Sequence, residues 1–146
     1  MHYENFRIKF VYESNRTMNS EKIFQPTESE LEILQVLWEK GEATVREVHE
    51  VLERTRDIGY TTTLKTMQIM TDKGLLGRDT SNRTHVYISL VTREKTQKQF
   101  LSKMIDGLFK GSASRLVIGA LDGENLSSDE LREIQDYLKQ FENGES

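Results

Sequence analysis

The sequence predicts a mainly α chain: an N-terminal unit of three helices closed by a β-hairpin, followed by a C-terminal set of helices. Three observations predict it. Proline occurs once in 146 residues, at Pro26, so long helices meet no internal breaker. Capping-box signatures precede apolar runs at Thr27 with Glu30, Thr44 with Glu47, and Ser127 with Glu130. A single stretch, residues 75–90, sets β-forming residues around a polar turn.

The first helix opens at Thr27. Leu31, Leu34, Leu37 and Trp38 fall at helical spacing, and Ile33 and Val36 widen the stripe, which makes Trp38 a core residue. Glu28, Glu30 and Glu32 load the positive end of its dipole, and Gly41 stops it after Lys40. The second helix starts at Thr44, carries Val45, Val48 and Leu52 on one face, and runs to about Arg54. Gly59 breaks the chain. The third helix runs from Tyr60 or Thr61 to Lys73, and Gly74 ends it. Its inner face is Thr63, Thr66, Met67 and Met70; its outer face is Thr61, Thr62, Lys65, Gln68 and Asp72. The hairpin follows as Leu75 to Asp79, a turn at Thr80 to Arg83, and Thr84 to Leu90. Three short helices and then a hairpin is the order of a winged helix-turn-helix. That architecture lays its recognition helix in the DNA major groove and touches backbone or minor groove with the wing.

Thr92 opens a fourth helix through Gly107 or Lys110, with Phe100, Leu101, Met104, Ile105, Leu108 and Phe109 as its apolar positions. The Gly111-Ser112 step interrupts. Leu116, Val117, Ala120 and Leu121 mark a fifth helix, and Ser127 opens a last one with Leu131, Ile134, Tyr137, Leu138 and Phe141. These helices carry more apolar surface than so thin a unit can hide. A second copy of the chain is the natural cover, because symmetric dimers are the commonest oligomers. The expected organisation is an extension over 1–26, a winged-helix domain over 27–90, and a helical dimerisation and regulatory domain over 91–146. Within the extension, Phe6 to Tyr12 alternates weakly and reads as either a strand or a flexible tail. Met18 precedes the first helix signal and offers a second translation start, which the intact mass of the native protein would decide.

Cysteine is absent, which excludes disulfides, thiolate metal sites and cysteine nucleophiles. The longest apolar stretch, Leu116 to Leu121, is far too short to span a membrane, and no apolar signal core opens the chain, so a cytoplasmic location is expected. A net charge of −4 taken alone argues against a nucleic-acid binder. The distribution speaks differently. Residues 54–83 hold six bases against three acids, whereas residues 122–146 hold eight acids against Arg132 and Lys139. Either labour is divided between a basic middle and an acidic end, or charges cluster by chance on a solvated face. His49 and His85 show no metal-ligand spacing and read as surface or packing residues. No GxSxG, HExxH or phosphate-cradling glycine loop occurs, so no catalytic residue, metal or cofactor is expected.

The candidate DNA-binding residues follow from position and chemistry. Thr61 and Thr62 open the third helix, where a hydroxyl donates and accepts and a methyl packs on thymine; capping and core packing is the alternative. Lys65 lies one turn on, within reach of guanine or a phosphate, and Gln68 is placed to read adenine from farther out. Tyr60 stands at the groove entrance, where its phenol suits a phosphate oxygen. Asn82 and Arg83 at the wing tip are either phosphate or minor-groove contacts or a solvated turn. Thr44 is a helix cap and, in the same place, a phosphate holder. Arg46, Arg54 and Arg56 are weaker candidates for backbone contacts.

The stretches TESELEILQVLW at 27–38, GEATVREV at 41–48, YTTTLKTM at 60–67, KGLL at 73–76 and NRTHVYISLVTRE at 82–94 resemble the penicillinase and methicillin-resistance repressor family. FLSKM at 100–104, LFKGSASRLV at 108–117 and LSSDEL at 126–131 extend the resemblance, so that it covers about residues 27–141. The resemblance implies a dimeric repressor that binds a palindromic double-stranded operator and dimerises through its C-terminal helices. It also implies release by cleavage in the dimerisation domain, triggered by a membrane-bound metalloprotease sensor. This chain departs from the pattern in three places. The Asn-Phe bond cut in the best-known members reads Gly119-Ala120 here, the cysteine pairs of a copper-responsive branch are missing, and Ile69 stands where many relatives have a basic residue. The competing reading is a winged-helix module that binds protein and not DNA, favoured by the net charge and by Ile69.

Overall fold

A computed structural model describes residues 25–144 of the chain; the extension's weakly alternating strip, Met18 and His2 lie outside the described residues. Helix α1 spans Glu28–Lys40 and begins with both bonds of the expected capping box. The Glu30 N–H donates to Thr27 Oγ1 at 3.2 Å, and the Thr27 N–H donates to Glu30 Oε1 at 2.8 Å. Gly41, at φ 83°, sends its N–H back to the Leu37 carbonyl and ends the helix. Strand β1 (Ala43–Thr44), helix α2 (Val45–Leu52), helix α3 (Tyr60–Asp72), strand β2 (Leu76–Asp79) and strand β3 (Val86–Ser89) follow. The sheet is antiparallel with order β1-β3-β2.

Strand β1 is an addition to the hairpin that the sequence predicts. Ala43 pairs with Tyr87 and Thr44 with Val86, so the two residues between the Gly41-Glu42 stop and α2 form the third strand. The wing's second strand is shorter than expected. Asp79, the last residue of β2, pairs with Val86, which leaves Thr84 and His85 without strand partners and places them in the turn. That turn is set by the Ser81 N–H donating to Asp79 Oδ1 at 2.9 Å.

The core lies between α1, α2, α3 and the sheet. Leu34, Leu37, Val48, Met67, Met70, Leu76 and Tyr87 are buried there, and α3 turns Thr63, Met67 and Met70 inward as expected, whereas Thr66, expected beside them, is only half-buried and donates its hydroxyl to the Thr62 carbonyl at 2.8 Å. Trp38 sits at the core's edge, half-buried. Its indole N–H donates to Ser89 Oγ at 3.1 Å and to the Val91 carbonyl at 2.9 Å, and the Arg93 guanidinium stands 5.7 Å from the ring centroid. The tryptophan thus ties the end of α1 to the segment leaving β3.

One carboxylate joins distant ends of the core. Glu30 is 3% exposed and accepts two bonds from the Lys73 ammonium, at 2.9 and 3.1 Å, besides the Thr27 N–H. Burial pushes its pKa up, but the Thr27 backbone bond and the Lys73 ammonium outweigh burial and hold it below the ordinary 4.5. A carboxyl whose pKa is lowered on folding stabilises the fold above its unfolded value, and that stabilisation is lost as pH falls through the folded value. Thermal unfolding followed by circular dichroism should therefore show a melting temperature that drops below about pH 4.5, with a shallower drop in Glu30→Gln. Identical acid limbs for the two proteins would remove Glu30 as the source.

The chain forms two compact units, one ending at Phe100 and the other beginning at Leu101. Helix α4 (Arg93–Gly107) opens in the first unit, where the Thr92 hydroxyl accepts from the Lys95 N–H at 3.1 Å. Helices α5 (Ala113–Gly123) and α6 (Ser128–Glu142) belong to the second. Between α4 and α5 the backbone turns through Lys110 and Gly111, both at positive φ, and Ser112 caps α5. Ser127 caps α6 by accepting from the Glu130 N–H at 3.1 Å, but only this forward bond of the expected box forms. No residue of α5 or α6 is buried. Of the apolar positions assigned to dimerisation, Leu101, Met104, Leu108, Val117, Leu131 and Leu138 are exposed, while Phe100, Ile105, Phe109, Leu116 and Ile134 are half-buried. Ile118, 65% exposed, joins that surface without having been expected there.

Candidate nucleic-acid interface

The start of α3 is electrostatically open. Its N-cap is Gly59, which has no side chain to cap with, and its first turn holds no acid. The N–H groups of Thr62 and Thr63 close on the Gly59 carbonyl, and no side chain caps the turn. Such a terminus presents partial positive charge to an anion. Thr63, Met67 and Met70 turn inward and are buried, so Thr61, Thr62, Lys65 and Gln68 share the exposed face. Ile69, 43% exposed, stands on that outer side as well.

Helix α2 braces α3 from behind. His49 Nδ1 lies 3.0 Å from the hydroxyl of buried Thr63, and its Nε2 lies 3.3 Å from Glu53. The same imidazole meets the Tyr60 ring edge-on at 5.6 Å, and the Arg46 guanidinium stands over that ring, also at 5.6 Å. Tyr60 remains 42% exposed with its position set by two neighbours. His49 is thus the packing residue that one of its two sequence readings describes.

A cleft of about 460 Å³ opens among the start of α2, the start of α3 and the wing. Thr44, Arg46, Tyr60, Arg83 and His85 line it, with Val45, Leu64, Thr84 and Tyr87 completing the wall. No acid is among these residues, and neither arginine has an acidic partner among the described residues. The structure therefore gathers three of the predicted site residues, Thr44, Tyr60 and Arg83, in one concavity. Asn82 is exposed in the turn outside it. The Thr44 hydroxyl is engaged in the capping box, accepting from the Glu47 N–H and lying 3.1 Å from Glu47 Oε1. Arg56 is ion-paired with Glu32 at 3.3 Å, and Arg54 is exposed on the α2–α3 connection. Sequence reasoning read His85 as a surface or packing residue and not as part of the interface, and it put Arg46 no higher than Arg54 and Arg56. The signal for both is the β1–β3 pairing, since Thr44 opposite Val86 brings residues 45–46 beside residue 85.

Comparison with known proteins is consistent across most of the chain. The family model described as penicillinase repressor matches residues 26–140. The methicillin resistance regulatory protein MecI of Mammaliicoccus sciuri is 28% identical over 121 residues, covering 80% of this chain and 95% of that protein. The transcriptional regulator BlaI of Mycobacterium tuberculosis is 30% identical over 115 residues, covering 77% of this chain and 81% of that protein. A solved MarR family transcriptional regulator from Silicibacter pomeroyi DSS aligns over 100% of this chain and 89% of its own at 25% identity, with a TM-score of 0.41, too low to bear on the fold. Among the described residues no helix is long and apolar enough to cross a membrane.

Proposed function

The chain belongs to the penicillinase repressor family, and from that premise we propose that it is a dimeric transcriptional repressor that binds a twofold-symmetric DNA operator. The observation that carries the reading is the outer face of α3, where Thr61, Thr62, Lys65 and Gln68 stand exposed behind an uncapped, acid-free first turn. Short hydroxyls at the helix start approach base edges, Lys65 and Gln68 reach farther along the groove, and Tyr60 suits a phosphate oxygen. Asn82 and Arg83 extend the contact from the wing. No residue of α5 or α6 is fully buried within one chain, which supports their pairing with a second copy, and a twofold protein calls for two matching half-sites. A signal that separates the paired helices would release the operator. Proteolysis prompted by a membrane-bound metalloprotease sensor is one such signal, although Gly119-Ala120 lies within α5 and must unwind before it can be cut.

Fluorescence anisotropy on the chain's own upstream region, against a scrambled duplex and at two salt concentrations, tests this. Preferential binding that weakens steeply with salt and saturates at two chains per site is expected. Equal, salt-independent responses to both duplexes would turn the reading to a protein-binding winged helix, for which exposed Ile69 and the net charge of −4 are the arguments.

A further inference from the structure

We propose that the cleft between the wing and the starts of α2 and α3 seats a single phosphate of the DNA backbone, gripped jointly by Arg46 and Arg83. The proposal rests on the DNA-binding reading above and assigns a role to a cleft that a recognition helix alone does not require. Arg46 and Arg83 line one concavity with no acid among its described lining residues and no acidic partner among the described residues. Two like charges facing one cleft repel, and an anion bound between them offsets the repulsion. Phosphate is the fitting anion, because its oxygens match the planar fork of a guanidinium two at a time. The His85 ring adds an N–H donor from the wing side.

Arg46 is held in position. Its guanidinium lies over Tyr60, whose ring meets His49, which in turn touches the hydroxyl of buried Thr63 on α3. A phosphate bound there is thereby placed relative to the base-reading face of the same helix. The Thr44 hydroxyl, engaged with Glu47, is not needed for the grip.

A phosphate contact positions a protein on DNA without reading sequence. Arg46→Ala should therefore weaken binding to the upstream and scrambled duplexes alike, by about tenfold at low salt, and leave their ratio unchanged. The slope of log affinity against log salt should become less steep by about 0.9 per chain, the value for one phosphate, in the double variant that lacks both arginines, and by less in Arg46→Ala, where Arg83 still holds the phosphate. Arg46→Lys should keep the wild-type slope. The Arg46→Ala/Arg83→Ala double variant should lose less than the two single losses combined, because the two arginines share one ligand. Strict additivity would mean separate phosphates and would overturn the joint grip. A changed ratio of the two duplexes would make Arg46 a base reader. An unchanged slope and affinity in Arg46→Ala would discard the cleft while leaving the wild type's DNA binding intact, whereas a wild type that binds neither duplex would discard both. Titrating inorganic phosphate calorimetrically into the DNA-free protein separates the remaining source. No saturation at millimolar concentration is expected, and saturable binding that Arg46→Ala abolishes would give the cleft to a free anion.

Discussion

Leu108→Asp should convert the protein to a monomer and weaken operator binding by roughly 10²-fold or more, the scale gained when two sites are linked on one ligand. Leu108 is 71% exposed in the single chain, so a carboxylate there meets water and costs the isolated chain little. In a paired state the same carboxylate enters an apolar interface, where an unpartnered charge is strongly unfavourable. Sedimentation equilibrium gives the mass and anisotropy gives the affinity. The melting of the first unit serves as control, because Leu108 lies outside it. A variant that still sediments as a dimer with full affinity would place the covered surface elsewhere than around the end of α4.

Met70→Ala should be the most destabilising single change beneath α3, at about 2–5 kcal/mol, the range for large-to-small truncation in a closed core. Met70 is 0% exposed and shares the core with Leu34, Leu37 and Met67. For a unit of this size each kcal/mol lowers the melting temperature by roughly 4–8 °C, a loss that calorimetry resolves easily. Below the new midpoint DNA affinity should be nearly unchanged, since Thr61, Thr62 and Lys65 stand on the opposite side of the helix. A loss under about 1 kcal/mol would mean that the site collapses around the smaller side chain.

What the sequence made legible was mostly local. Thr27 with Glu30 and Thr44 with Glu47 form complete capping boxes, because both halves of each box lie within one helical turn. The inner face of α3 was readable because helical periodicity sorts Thr63, Met67 and Met70 from Thr61, Thr62 and Lys65. Family motifs extended the reading to the repressor class, which position-by-position chemistry could not reach. The features that escaped depend on pairings between distant residues. Strand β1 is too short to alternate, and only β3 defines it. The Glu30–Lys73 pair joins residues 43 apart. Arg46 and Arg83 line one cleft only after β1 has paired with β3. Even Ser127, a cap read correctly, had its box overstated, since a signature spacing does not oblige Glu130 to return the bond.

The chain's single tryptophan gives the first unit its own optical label. Trp38 holds Ser89 and the Val91 carbonyl with its indole N–H and lies beneath Arg93, the first residue of α4. Emission from the protein therefore comes from one known place, the point where the chain leaves the sheet and becomes the long helix. Rupture of those two hydrogen bonds exposes the indole to water and shifts its emission to the red. Movement at that seam can thus be timed in the unmodified protein, without a dye and without a second tryptophan to subtract.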